Sequence, residues 1–143
     1  MQARSAYVET HDELTGLPNR RCVDELARAL ALDAKSALVV MLIELPKIDA
    51  QMRKIIAERL RACARGDDVI ACVGDGRFAV LLTPHIGPDA EGKLLARLRI
   101  AIGSNLLDVP ATIGVARCPE DGTSIDQLLA QASSRMRVQD ASH

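Results

Sequence analysis

A continuous apolar stretch in the first third of the chain constrains the fold most. Residues 36–45 read SALVVMLIEL, which has the length of a strand and is rich in branched side chains. Because apolar and polar residues do not alternate here, we predict a strand that is buried on both faces and ends at Pro46. The sheet that contains this strand therefore needs a packed layer on each side.

The apolar residues on either side of this strand recur with helical or strand spacing, and the predicted order is α-β-α-β-β-α-β-α. Helices are predicted at 20–32 and 51–64, from Pro88 through Ile102 and after the capping residue Ser124, and strands at 36–45, 68–73, 77–82 and 111–118. A β-α-β-β-α-β unit packs its two helices on one sheet face, which gives a ferredoxin-like α+β sandwich. The first and last helices remain to cover the other face.

Composition excludes several functional classes. The net charge is −1, and Tyr7 and Phe78 are the only aromatic residues, so the chain offers neither a basic surface nor stacking platforms for nucleic acid. No apolar run reaches the roughly 18 residues that a membrane span needs, and we expect a cytoplasmic protein without membrane insertion. The four cysteines lack zinc-site spacing and are interpreted as small buried residues: Cys22, Cys63, Cys72 and Cys118. We expect no metal and no cofactor.

One motif near the N-terminus suggests a family. The stretch DELTGLPNRR, residues 12–21, closely resembles the opening of GGDEF domains, the bacterial diguanylate cyclases, and further matches extend over essentially the whole chain. The resemblance implies a nucleotide cyclase fold that joins two GTP molecules into cyclic di-GMP across a dimer, with two Mg²⁺ ions held by carboxylates. On this basis residues 1–13 are a linker from an upstream domain, and residues 14–143 are the GGDEF domain.

The signature of that family is altered here. Counting back from Phe78, its Gly-Gly-Asp/Glu-Glu-Phe sequence corresponds to Gly74-Asp75-Gly76-Arg77-Phe78. The resemblance implies that Gly76 replaces a metal ligand, that Arg77 places a cation at the metal site, and that Asp75 repels phosphate. Glu44 occupies the position of the family's other metal ligand, but a lone carboxylate binds Mg²⁺ poorly. The family's D-x-F-K-x-I-N-D run is represented here only by ELPKIDA, and the Asn-Asp and Gly-His stretch that recognises guanine in the family is shortened away.

A slip of one residue would let Asp75 replace the missing ligand. In a hairpin such a slip moves every side chain to the opposite face, and Phe78 with its apolar neighbours opposes it. Read without its flanks, the sequence Gly-Asp-Gly is simply a good turn. With the flanks, we interpret the hairpin as a former active site.

A second site of the family has counterparts in this chain. Arg65 and Asp68 form an R-x-x-D pattern before the hairpin, where GGDEF domains carry an inhibitory site for cyclic di-GMP. A guanidinium can bond the O6 and N7 edge of guanine, and a carboxylate can accept from its N–H groups. Arg97 is the third candidate, with Arg99 as its competitor. The alternative is an ordinary surface ion pair between Arg65 and Asp68.

These patterns support a catalytically inactive GGDEF domain that acts as a cyclic di-GMP receptor or regulatory module. A nucleotide-independent scaffold for dimerisation or protein interaction is the alternative, and an active cyclase is the least favoured hypothesis. The expected partners are cyclic di-GMP, a neighbouring sensory or EAL domain in a longer chain, and a second copy of the chain, with no nucleic acid.

Overall fold

A four-stranded antiparallel sheet lies between two pairs of helices in the computed structural model. The structure describes residues 9–30, 37–45, 48–64, 68–82, 88–103 and 111–141. The elements are α1 (Arg20–Leu30), β1 (Leu38–Glu44), α2 (Ala50–Cys63), β2 (Val69–Gly74), β3 (Arg77–Leu82), α3 (Pro88–Gly103), β4 (Thr112–Cys118) and α4 (Ile125–Ala141). The predicted order of helices and strands and the α+β class are confirmed.

The strand order is β2-β3-β1-β4, so the apolar run that forms β1 lies at the centre of the sheet. It pairs antiparallel with β3 on one side and with β4 on the other. Four successive residues of β1 have no solvent exposure: Val40, Met41, Leu42 and Ile43. The expected burial of both faces of this strand is therefore confirmed.

Each sheet face has its own hydrophobic core. The helices α2 and α3 cover one face, where their buried residues pack against Met41, Ile43 and Phe78. The helices α1 and α4 cover the other, packing against Val40 and Leu42. The first and last helices therefore supply the second layer, as predicted.

Gly114, in the middle of β4, lies very close to the helix α4. A Cβ built on this residue would lie 1.8 Å from the backbone oxygen of Ala132 in α4. Only a residue without a side chain allows the helix to pack so closely on the strand.

Two details of the sequence prediction need correction. The thiols of Cys22 and Cys63 are half-buried, whereas only Cys72 and Cys118 are buried as expected. The helix α2 ends at Cys63, with Ala64 as its cap. Three residues at predicted element boundaries lie outside the described residues: Leu32, Ser36 and Pro46.

Candidate functional site

The hairpin between β2 and β3 turns at Asp75 and Gly76. Gly76 has a φ of +67°, in the left-handed region that glycine adopts without strain. Its carbonyl accepts a hydrogen bond of 2.8 Å from the amide of Leu45, just after β1. The tip of the hairpin is therefore fixed to the end of the central strand.

Strand register decides which side chains meet at this edge of the sheet. Ile43 pairs with Phe78, which is fully buried, and Glu44 pairs with Arg77. Directly opposed residues of neighbouring strands point to the same face. Phe78 thus holds the predicted alternation in the pairing of β3 with β1, which is continuous to Arg77. The pairing of β3 with β2 shifts by one residue between Cys72 and Gly74, next to the turn.

Two ion pairs join the charged residues at this edge. The Nε of Arg77 lies 3.2 Å from a carboxylate oxygen of Glu44, and both side chains are about two-fifths exposed, at 41% and 43%. Arg53, from the first turn of α2, donates from Nη1 to the carboxylate of Asp75 at 2.9 Å. Both carboxylates are therefore matched by a guanidinium of the same chain.

Arg53 was not predicted as part of this region. It lies 22 residues before Asp75, and no local pattern links the two. Only the packing of α2 beside the end of the hairpin brings them together, so periodicity within α2 could not have revealed the pair.

The residues here do not fit the divalent ions that the family's chemistry implies. Gly76 carries no carboxylate, and a Cβ at this position would lie 2.5 Å from the backbone oxygen of Leu45. Glu44 is already paired with Arg77, and Asp75 is paired with Arg53 and is 99% exposed. Within the described part of the chain, no group of three or more acidic, histidine or cysteine side chains is arranged to hold a metal ion.

The proposed nucleotide site is described in part. Arg65 lies outside the described residues, and Asp68 immediately precedes β2. Arg97, half-buried on α3, donates from Nη2 to the carbonyl of Cys63 at 3.5 Å. The thiol of Cys63 lies 3.8 Å from the carbonyl of Arg97 in return. The structure therefore brings Arg97 to Cys63, the last residue of α2. Arg65 follows Cys63 by two residues in the sequence.

The electrostatics at Cys63 reflect the same contact. Burial raises the pKa of this thiol, while the positive charge of Arg97 acts in the opposite direction. The thiol stays protonated at neutral pH, and the guanidinium of Arg97 is the cation that acts on it.

An open cleft of about 390 Å³ lies in another part of the domain, between α1 and the start of α4. Its walls include Asp24 and Arg28 of α1 and Ser124 and Asp126 at the start of α4. None of the residues predicted from the sequence to form a site lines it.

Comparison with known proteins agrees with the fold and the sequence motif. The family described as "Diguanylate cyclase, GGDEF domain" matches residues 9–142. The chain belongs to the GGDEF-domain family. The diguanylate cyclase TpbB of Pseudomonas aeruginosa is 30% identical over 158 residues, covering 95% of this chain and 36% of TpbB. The bifunctional diguanylate cyclase/cyclic di-GMP phosphodiesterase MucR, of the same species, is 30% identical over 145 residues, covering 88% of this chain and 21% of MucR.

A solved structure shows the same fold in a more distant relative. The coiled coil and GGDEF domain of DgcB from Caulobacter crescentus, in complex with c-di-GMP, superposes with a TM-score of 0.81 at 16% identity. The match covers 99% of this chain and 85% of that one.

This GGDEF chain spans only about a third of the length of TpbB and a fifth of the length of MucR. Among the helices of the described residues, none has the length and apolar content that crossing a bilayer requires.

Proposed function

We propose that this GGDEF domain makes no cyclic di-GMP and instead acts as a receptor or regulatory module in cyclic di-GMP signalling. The observation that carries the proposal is the altered edge of the hairpin. An arginine is paired with the one acid that corresponds to a metal ligand, Glu44, and Gly76 stands where the other acid is expected. Two-metal activation of a hydroxyl needs several carboxylates at one place, and this edge does not provide them.

The receptor role rests on Arg65, Asp68 and Arg97. Arg97 contacts the end of α2, and Arg65 follows that end within two residues. Asp68 follows three residues later, at the start of β2. Two guanidiniums and one carboxylate can together satisfy the acceptors and donors of a guanine edge. The long 3.5 Å bond from Arg97 to Cys63 is a weak one that a nucleotide can replace.

Calorimetric titration with cyclic di-GMP tests this role. We expect saturable binding by the wild-type chain, reduced about 10- to 100-fold by Arg65→Ala or Arg97→Ala, because each removes charge-assisted hydrogen bonds. Arg28→Ala is the matched control, since Arg28 is an exposed arginine on the opposite side of the sheet. An absence of binding by the wild type, or unchanged affinity in Arg65→Ala, would contradict the receptor role.

The alternative is a scaffold that binds no nucleotide and serves dimerisation or docking of a neighbouring domain. The similarity to MucR, which is named as bifunctional, favours it, because the GGDEF part there belongs to a much longer protein. We place residues 1–13 in a linker from such an upstream domain, tied to the fold by the hydrogen bond from the Asn19 side chain to the Glu9 carbonyl.

The free cysteines agree with our assignment to the cytoplasm, which keeps thiols reduced. Sedimentation of the chain with and without cyclic di-GMP distinguishes ligand-independent from ligand-dependent dimers.

A further inference from the structure

We propose that Arg77 is a resident cation that replaces a divalent ion at the edge of the sheet, and that this one side chain excludes metal from Glu44. The inference rests on the proposed lack of cyclase activity and goes beyond it, since it names the residue that prevents metal binding at Glu44. It also predicts that restoring the acid at Gly76 does not rebuild the site.

The first argument is electrostatic. Glu44 and Arg77 are directly opposed in the β1 and β3 ladder, and the Nε of Arg77 lies 3.2 Å from the Glu44 carboxylate. A guanidinium at this distance already supplies the positive charge that the carboxylate would otherwise draw from a metal ion. A divalent ion at Glu44 would in addition be repelled by Arg77, because both charges would share one carboxylate.

The second argument is steric. A side chain at position 76 would start from a Cβ only 2.5 Å from the Leu45 backbone oxygen, a distance at which something must shift. Gly76 also has a positive φ, which side chains rarely adopt. The turn is further held by the 2.8 Å bond from the Leu45 amide to the Gly76 carbonyl. An acid at this position must therefore break the turn before it can reach a metal.

Binding of Mn²⁺, measured from the electron paramagnetic resonance signal of the free ion, tests the proposal without any catalytic readout. The wild-type chain is expected to bind no Mn²⁺ at this edge. Arg77→Glu places a second carboxylate directly opposite Glu44, and we expect it to bind Mn²⁺ measurably, at least about tenfold more tightly than any residual binding by the wild type. Adding Glu44→Gln to Arg77→Glu is expected to abolish the gain.

Two further variants separate the local effect from other causes. Lys93→Glu changes the net charge by the same amount on the exposed side of α3 and is expected to gain nothing. Arg77→Gln frees Glu44 without adding an acid, and its affinity is expected to lie between those of the wild type and Arg77→Glu. Gly76→Asp is expected to lower the melting temperature without gaining Mn²⁺.

Several results would overturn the inference. These are a folded Arg77→Glu that gains no Mn²⁺, an equal gain in Lys93→Glu, and a Gly76→Asp variant that binds Mn²⁺ with an unchanged melting temperature. A wild-type chain that binds Mn²⁺ through Glu44 yet makes no cyclic di-GMP would overturn this inference alone. The proposed function would survive that result.

Discussion

Replacing Gly114 with alanine tests how closely α4 packs on the sheet. The new Cβ would lie 1.8 Å from the backbone oxygen of Ala132 and 3.2 Å from the side chain of Met136. An ordinary contact begins near 3.4 Å, and a backbone oxygen cannot rotate away as a side chain can. The helix must therefore move outward along its length, which loosens its buried contacts with β1 and β4. We expect Gly114→Ala to lower the free energy of unfolding by about 3 kcal/mol, the upper part of the usual range for overpacking.

Urea denaturation followed by circular dichroism measures this loss. A domain of this size has a free energy of unfolding of about 5–15 kcal/mol, so a 3 kcal/mol loss clearly shifts the midpoint. Gly92→Ala is the matched control, because Gly92 is exposed on α3 and a Cβ there meets no atom within 4 Å. It is expected to stabilise the chain by about 0.5–1 kcal/mol through helix propensity. If Gly114→Ala stays within about 0.5 kcal/mol of the wild type, the close packing argued here is wrong.

Two further predictions concern polar contacts outside the hairpin. The hydrogen bonds from Arg135 hold the pKa of the Asp121 carboxyl below its ordinary value. The contribution of these bonds to stability is therefore present above about pH 4, and it is lost as the pH falls through the lowered pKa of the folded state. Arg135→Gln should therefore lower the free energy of unfolding by about 1 kcal/mol at pH 7. In urea titrations at several pH values, this loss should shrink below pH 4. A loss that does not depend on pH would count against the assignment. Asp12 accepts hydrogen bonds from both the amide and the hydroxyl of Thr15, so Asp12→Ala should cost about 1–2 kcal/mol in urea unfolding. The exposed neighbour Glu13→Ala should cost little, and equal losses in the two variants would refute the assignment.

The layers of the fold could be predicted because each depends on local apolar spacing. The unbroken run of β1 indicated burial on two faces, and the count of helices left two to cover the second face. The position of Arg97 beside the end of α2 depends on how two helices pack, and no spacing within either helix specifies it.

The charged edge of the hairpin was predictable only where strand register determines it. The burial of Phe78 fixes the alternation in β3, and the pairing of Arg77 with Glu44 follows from it. The bond from Arg53 to Asp75 and the contact of Gly76 with Leu45 join segments far apart in the sequence. Both require the three-dimensional arrangement, because turn chemistry specifies only the local backbone.

The central claim is that this GGDEF domain no longer makes the messenger. Its most direct test is incubation of the purified chain with GTP and Mg²⁺, with cyclic di-GMP quantified by chromatography and TpbB as the active reference. We predict no product above the level of a reaction without protein. Product formation that disappears in Glu44→Ala would contradict the claim, because it would show that this edge of the sheet still supports the chemistry.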